Sequence, residues 1–341
     1  MSRRVFLYEL ITGGGMWSLP HSPLPAGSLL REGDAMFQAL AADLLAAGVR
    51  EVTTLRDARL GPLSLPVITA TTVDSVDSER RHFLDLCAQA DQVIVIAPEF
   101  DGLLTARVEW AESVDPAKLA SPGSQMVRLA SDKWATYRFL AEADIPVVKT
   151  HRLSQRETWA YLDDLSVVTK PVDGAGSEGI FRWSTAREIP AELRRDSRTL
   201  VQPYIAGVPA SVAMIGTAAG FVTLPPARQV LDPAFHYLGG GFDLSPAESR
   251  AAKQVAIRVG KILSPFKGYL GVDMILTSVG QRVREASRVE GWVVEINPRL
   301  TSSYIGLRQV VDCNLAAIML GLANPGLTVE SSRSSPLEFF V

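Results

Sequence analysis

The residues able to do chemistry fall in a few short stretches. The most informative is Lys170-Pro171-Val172-Asp173-Gly174-Ala175-Gly176-Ser177-Glu178-Gly179-Ile180, where Gly174, Gly176 and Gly179 match the spacing G-x-G-x-x-G. That spacing indicates a dinucleotide fold only when a strand precedes it and a helix follows. Here Ile180-Phe181-Arg182-Trp183 favours a strand and Pro190 limits what comes next, so the context is strand, loop, strand. A glycine-rich loop between antiparallel strands can fold over nucleotide phosphates, because glycine allows close backbone approach and leaves amide donors unhindered. An ordinary glycine-rich hairpin is the competing reading.

Two lysines favour the phosphate reading. Lys133 opens a helix capped by Ser131-Asp132, and Lys170 ends the strand Ser166–Lys170 just before the loop. A lysine acts as a point charge for phosphate, and Lys133 also sits at a positive helix N-terminus, although either alone is ordinarily a solvated surface charge. The sequence G-x-x-x-x-G-K-[ST] does not occur, which excludes a P-loop. Farther on, Asp273 interrupts Gly271-Val272-Asp273-Met274-Ile275, and Glu295 and Asn297 interrupt Val293-Val294-Glu295-Ile296-Asn297-Pro298-Arg299. Period-two alternation places Glu295 and Asn297 on one face and Val294 and Ile296 on the other, with Asp273 adding an oxygen from an adjacent strand. These hard oxygens form a magnesium ligand set, and Arg299 can offset developing phosphate charge. The bland alternative is the solvent face of a strand followed by an N-cap. Arg228 is a candidate contact for a substrate carboxylate or the triphosphate, against a surface salt bridge. His236 and Tyr237 are candidates for lining a substrate site. Four histidines argue against a histidine-rich metal centre.

The elements that must position these residues follow from pattern. From Val5 to about Glu99 strands and helices alternate: strand Val5–Leu10, helix Ala35–Ala47 closed by Gly48, strand Glu51–Leu55, helix Glu79–Ala90, then the apolar run Val93–Ile96. A linker at Ser121-Pro122-Gly123-Ser124 opens a second α/β region. Ala247, Ala251, Val255, Val259 and Ile262 stripe a helix that starts at Pro246 and stops at Pro265, and strands cover Tyr269–Leu276 and Trp292–Ile296. Residues 199–227 carry no charge, but repeated Pro and Gly break any membrane helix and leave a buried hairpin, Ser211–Ile215 with Phe221–Leu224. The Ser-rich tail after Gly326 is expected to contribute little. The 341 residues carry 34 Lys+Arg against 37 Asp+Glu, 47% hydrophobic and 21% charged, which excludes a disordered chain and lacks the basic run of a nucleic-acid surface. Cys87 and Cys313, far apart, read as packed thiols in a reducing compartment, and Glu9 breaks the only N-terminal apolar run, so no export signal is visible.

In this order the motifs resemble those of the ATP-grasp carboxylate–amine ligases, from Val5 to about Gly321. The resemblance implies an α/β and α+β architecture: a Rossmann-like pre-ATP-grasp domain (1–120), a central lobe with the glycine-rich loop (121–203), a C-terminal lobe with the metal site (204–328) and a tail (329–341). Lys133 and Lys170 match the phosphate-contacting lysines. Residues 173–179 match the flexible loop, so that Gly174, Ala175, Gly176, Ser177 and Gly179 would touch nucleotide. Leu200–Gly207 resembles the inter-lobe hinge, where Gln202, Pro203, Tyr204 and Ile205 would meet the adenine. Asp273, Glu295 and Asn297 match the metal ligands, and the candidate catalytic residues are Arg299, Lys170 and Arg228. One departure stands out: the hinge usually continues with a glutamate that holds the ribose hydroxyls, where this chain has Val208-Pro209-Ala210-Ser211.

The chemistry so implied uses ATP with Mg²⁺, Mn²⁺ being an option. A substrate carboxylate attacks the γ-phosphate to give an acyl phosphate and ADP, and an amine then displaces phosphate. Tyr8–Gly15, Leu30–Met36 and Glu295–Tyr304 look most like tyramine–glutamate ligases, which act in methanofuran-type cofactor assembly. The implied partners are small-molecule amino-acid and amine substrates, with no nucleic acid and no membrane, a homodimer as an option, and a cytoplasmic setting. Rival readings are an ATP-grasp ligase for lysine-derived substrates, a small-molecule kinase and a non-catalytic nucleotide-binding module.

Overall fold

The first apolar run is buried on both sides, as a central parallel strand requires. In β1 (Arg4–Glu9) Val5 and Leu7 enter one core cluster, Phe6 and Tyr8 another. The computed structural model describes residues 3–63, 65, 67–174, 178–279, 288–324, 326, 329–331 and 337–340. In it β1 pairs in parallel with β2 (Glu51–Asp57), β2 with β3 (Thr69–Val73), and β1 with β4 (Gln92–Ile96), giving the order β3-β2-β1-β4. Helices α1 (Gly27–Ala46), α2 (Val76–Gln89) and α3 (Leu103–Val114) cover this sheet. Met36, Phe37, Leu40, Ala41 and Leu44 are buried at helical spacing in α1, which begins eight residues before the expected Ala35. Gly48 follows it at φ 81°, a left-handed terminus that favours glycine. Strand β3 has no counterpart in the sequence reading because only Val73 of its side chains is buried, leaving no apolar alternation to detect.

Beyond α4 (Ser124–Ser131), the Asp132 carboxylate accepts hydrogen bonds from the N–H groups of Trp134 and Ala135 and starts α5 (Lys133–Glu142). Lys133 is therefore the first helical residue. A second sheet, β5-β8-β6-β7, is antiparallel throughout: β5 (His151–Arg152), β6 (Val167–Pro171), β7 (Phe181–Trp183) and β8 (Thr199–Pro203), with the short helix α6 (Arg156–Trp159) supplying Trp159 to its core. Strands β6 and β7 flank the glycine-rich segment, so the strand–loop–strand context holds and a dinucleotide fold there does not.

The third sheet has seven strands in the order β14-β13-β9-β11-β12-β15, with β10 on β9. Its members are β9 (Val208–Thr217), β10 (Gly220–Thr223), β11 (Ala227–Leu231), β12 (Tyr237–Gly241), β13 (Gly268–Val279), β14 (Arg288–Asn297) and β15 (Glu338–Phe340). The uncharged stretch is thus β8 to β10, and among the described residues no helix is long and apolar enough to cross a membrane. Helix α7 (Pro246–Leu263), closed at its start by a reciprocal Ser245–Glu248 capping box, buries Ala252, Val255, Ala256 and Val259 against this sheet. The helices α8 (Ser303–Val310) and α9 (Leu315–Met319) pack on α1, with the buried Asp43 accepting from Tyr304 Oη at 2.7 Å and Arg308 Nε at 3.0 Å.

The tail is not idle, contrary to expectation. Strand β15 pairs with β12, and Phe339 is 6% exposed, stacked on Phe242 at 5.9 Å and seated on Gly306, where a Cβ would come within 2.3 Å of its ring. A three-residue strand has too little periodicity to be read. Phe339→Ala is expected to cost about 3 kcal/mol in urea unfolding, whereas Phe340→Ala, at a 67% exposed side chain, should leave the midpoint nearly unmoved.

Candidate active site

A cleft between the second and third sheets gathers residues from every part of the chain. It encloses about 1580 Å³ including its open mouth, and Glu32 of α1 reaches it from the N-terminal side. Lys133 and Lys170 both line it, almost wholly buried. Lys133 Nζ donates to Gly174 O at 2.8 Å and lies 3.0 Å from Glu295 Oε1. Lys170 Nζ donates to Val294 O at 3.3 Å. Burial pushes the Lys170 ammonium down to about 8, with Lys133 adding to the shift and Glu295 and Asp273 opposing it.

Asp273 and Glu295 are directly paired across β13 and β14. Burial pushes the Asp273 carboxyl up to about 6; the nearby Glu295 adds to this, while hydrogen bonds from Ser211, Asn297 and Gln229 oppose it. Asn297 Nδ2 donates to Asp273 Oδ2 at 3.0 Å. Two facing carboxylates are a concentration of negative charge that a hard divalent cation would relieve, and with the Asn297 amide oxygen they fit Mg²⁺. Among the described residues no group of three His, Cys, Asp or Glu side chains could hold a metal, and the candidate set here has two carboxylates and one amide.

Simple alternation along β14 fails at one point. Val293 is buried in the core while Glu295, two residues on, faces the cleft; the register shifts between Asp273 and Met274, leaving Val294 as an extra residue. This bulge moves Val294 to the cleft, against the expected opposite face, where its carbonyl receives Lys170.

The hinge residues Gln202, Pro203, Tyr204 and Ile205 also line the cleft. The Gln202 side chain donates to Thr150 Oγ1 at 2.7 Å, and Tyr204 carries the Arg182 guanidinium 3.7 Å over its ring. The Tyr204 N–H is committed to Ser166 O at 2.8 Å, so reading a base edge falls to other backbone groups of the hinge. Gly174 lines the cleft at φ 149°, and Gly179 adopts φ 72° beside Pro171, both conformations that favour glycine. Ala175, Gly176 and Ser177 lie outside the described residues.

Two expectations need correction. Arg228 does not line the cleft: Ala227, Gln229 and Leu231 of β11 do, and alternation sends Arg228 to the opposite face, where it binds Asp243 at 2.7 Å and Glu338 at 2.8 Å. His236 pairs with Asp232 at 2.9 Å, while its neighbours Phe235 and Tyr237 line the cleft. Arg299 does line it; its Nε donates to the buried Glu99 at 2.8 Å and its Nη1 to Leu300 O at 3.2 Å. Glu32, Glu99, Ser211 and Gln229 were missed as site residues. The signal for Glu99 was its place just after a parallel strand, where α/β sheets bind ligands.

A family model for the ATP-grasp domain matches residues 130–303, just over half of the chain, and one for the pre-ATP-grasp 3 domain matches residues 50–124. The chain belongs to the ATP-grasp family. It is similar to the tyramine–L-glutamate ligase of Methanocaldococcus jannaschii, 24% identical over 303 residues, 87% of this chain and 84% of that protein. It is also similar to a D-alanine–D-alanine ligase of Thermotoga petrophila, 29% identical over 164 residues, 43% of this chain and 52% of that protein. Its fold matches the ADP complex of N5-carboxyaminoimidazole ribonucleotide synthetase with a TM-score of 0.72 at 17% identity, covering 98% of this chain and 80% of that one. This ATP-grasp protein is a ligase, of a family whose enzymes use ATP and a divalent metal.

Titration of the site has a definite sign. Below about pH 6 Asp273 takes up a proton and above about pH 8 Lys170 loses its charge, so the affinity for MgATP should be greatest between these limits. A plot of log affinity against pH should bend near both values, and Lys170→Met should remove the alkaline bend. Arg228→Ala should leave ATP turnover within about threefold of the parent, while Arg299→Ala should lower kcat about 100-fold, as steady-state ADP release would measure.

Proposed function

We propose that the protein joins the carboxylate of a glutamate-like amino acid to a tyramine-like amine, forming an amide and releasing ADP and phosphate. The observation that carries this reading is the convergence of Lys133, Lys170 and Arg299 with the Asp273–Glu295 pair in one cleft that also holds Glu32 and Tyr237. The likeness to a tyramine–L-glutamate ligase over most of both chains supports the choice of substrates.

In the first step a carboxylate oxygen attacks the γ-phosphorus as its bond to the β–γ bridging oxygen breaks, leaving an acyl phosphate and ADP. A neutral amine then attacks the acyl carbon, the bond to phosphate breaks, and the nitrogen gives up a proton as the amide forms. Lys133 and Lys170 would hold the phosphates, and Arg299 would offset charge on the transferred group, the usual source of acceleration in phosphoryl transfer. Asp273, Glu295 and Asn297 would hold Mg²⁺, or Mn²⁺, which when bound supplies charge neutralisation. Glu32 accepts from Ser302 Oγ at 3.2 Å, and burial raises its carboxyl above the usual range. An ammonium group of the amino-acid substrate would compensate that carboxylate, and Phe235 and Tyr237 offer aromatic surface to the ring of the amine.

The reading also places domain limits at 1–120, 121–203 and 204–328, with 329–341 joined to the last lobe through β15. Two free thiols, Cys87 and Cys313, fit a cytoplasmic setting.

The deciding experiment incubates the protein with MgATP, L-glutamate and an amine panel including tyramine and lysine, and measures nucleotide product and product mass. Glutamate-dependent ADP, an amide of the expected mass and a hydroxamate on adding hydroxylamine are expected. AMP would overturn the acyl-phosphate route, and a phosphate ester without hydroxamate would make the protein a kinase. Glu32→Gln should raise KM for the amino acid about tenfold, with MgATP affinity within about twofold of the parent.

A further inference from the structure

The loop after β4 touches the phosphate side of the cleft at two points, although it belongs to the N-terminal sheet. Glu99 is 3% exposed; its Oε1 accepts from Arg299 Nε, and its Oε2 is buried with no hydrogen-bond partner among the described residues. Two residues on, Asp101 adopts φ 52°, a left-handed conformation uncommon outside glycine, and its backbone N–H is near enough to Asp173 to help lower that carboxyl. Asp173 binds Arg198 at 2.6 Å.

Arg299 has a choice of anions. Glu295 and Glu32 lie within its electrostatic reach along with Glu99. With Nε on Glu99 and Nη1 on Leu300 O, the Nη2 hydrogens remain uncommitted among the described residues and the side chain still borders the cleft. A guanidinium released from Glu99 would turn to Glu295, where it would compete with Lys133 and with a cation for the same carboxylate. Glu99 can outcompete the others because, buried and with Oε2 unpartnered among the described residues, it would lose its hydrogen bond with Arg299 and keep only the field of Lys133 to offset its burial.

We propose that Glu99 is a positioning residue: it holds Arg299 away from Glu295 and aims its free edge at the phosphates. This inference rests on the ligase reading for its catalytic consequence. It concerns ATP and cation binding directly, so it can fail or hold without that reading.

The test measures equilibrium ATP binding as Mg²⁺ is titrated, with no second substrate, alongside ADP release in the presence of one. In Glu99→Gln the Mg²⁺ concentration giving half-maximal ATP binding should rise about fivefold, and kcat should fall about 30-fold with KM for ATP within about threefold. Glu99→Asp, which restores the charge, should recover most of both. Because Glu99 acts through Arg299, adding Glu99→Gln to Arg299→Ala should change neither quantity further. An unchanged Mg²⁺ midpoint in Glu99→Gln would overturn the proposal. So would additive losses in the double variant, which also decides the matter if Glu99→Gln alone folds poorly. Wild-type protein that binds MgATP but shows no carboxylate-dependent ADP release would sink the ligase reading and leave the Mg²⁺ test of Glu99 standing.

Discussion

The site depends on keeping like charges close together out of water. Two ammonium groups, Lys133 and Lys170, are buried within each other's field, and two carboxylates, Asp273 and Glu295, face each other across adjacent strands. Neither pair is tolerable alone, because desolvation and repulsion act in the same direction. They are tolerable together: Lys133 binds Glu295, Lys170 lies in the field of both carboxylates, and backbone carbonyls at Gly174 and Val294 satisfy the ammonium hydrogens. The bulge at Val294 makes the arrangement geometrically feasible. A regular strand would put Glu295 on the same face as Val293, in the core, and leave the second sheet's lysine without a carbonyl to meet.

Packing far from the phosphates sets the rest of the cleft. Asp43 of α1 binds Tyr304 and Arg308 of α8, and Asn314 donates to its carbonyl at 2.7 Å, fixing the N-terminal domain against the last lobe. Glu32 lies on the same helix as Asp43, and Ser302 immediately precedes α8, so the Glu32–Ser302 contact is a consequence of how these helices dock. The wall assigned to substrate is therefore as rigid as the domain interface behind it, and a change in α1 packing would be felt as a change in substrate binding.

What was legible in the sequence follows from this division. The lysines, the glycine-rich run and the acidic interruptions of β13 and β14 could be read because charge inside an apolar strand is costly and rarely without purpose. The capped start at Lys133 and the stripe of α7 were readable because capping and helical period are local signals. Arg228 was misplaced because Pro225 and Pro226 hide where β11 begins, and a strand whose phase is unknown cannot say which of Arg228 and Gln229 faces inward. The Val294 bulge was invisible for a related reason, since it arises from pairing between two strands and not from either strand alone. Glu32 and Glu99 come from helix and loop positions with no periodic signal, about 200 residues or more from their partners Ser302 and Arg299.

The charge balance of the cleft explains why the family's cation is needed on this scaffold. Lys133, Lys170 and Arg299 bring three positive charges to the cleft, against the carboxylates of Glu32, Asp173, Glu178, Asp273 and Glu295. A triphosphate adds further negative charge, and adding lysines would not close the gap without deepening the repulsion that already lowers the Lys170 ammonium. Paired carboxylates would address the problem differently: each costs a protein charge, but with Asn297 they would hold a divalent ion that supplies positive charge beside the phosphates. On that account Glu295 must remain available to the ion. A flexible arginine on the same strand end is a standing threat to it unless another anion, such as Glu99, keeps the guanidinium occupied.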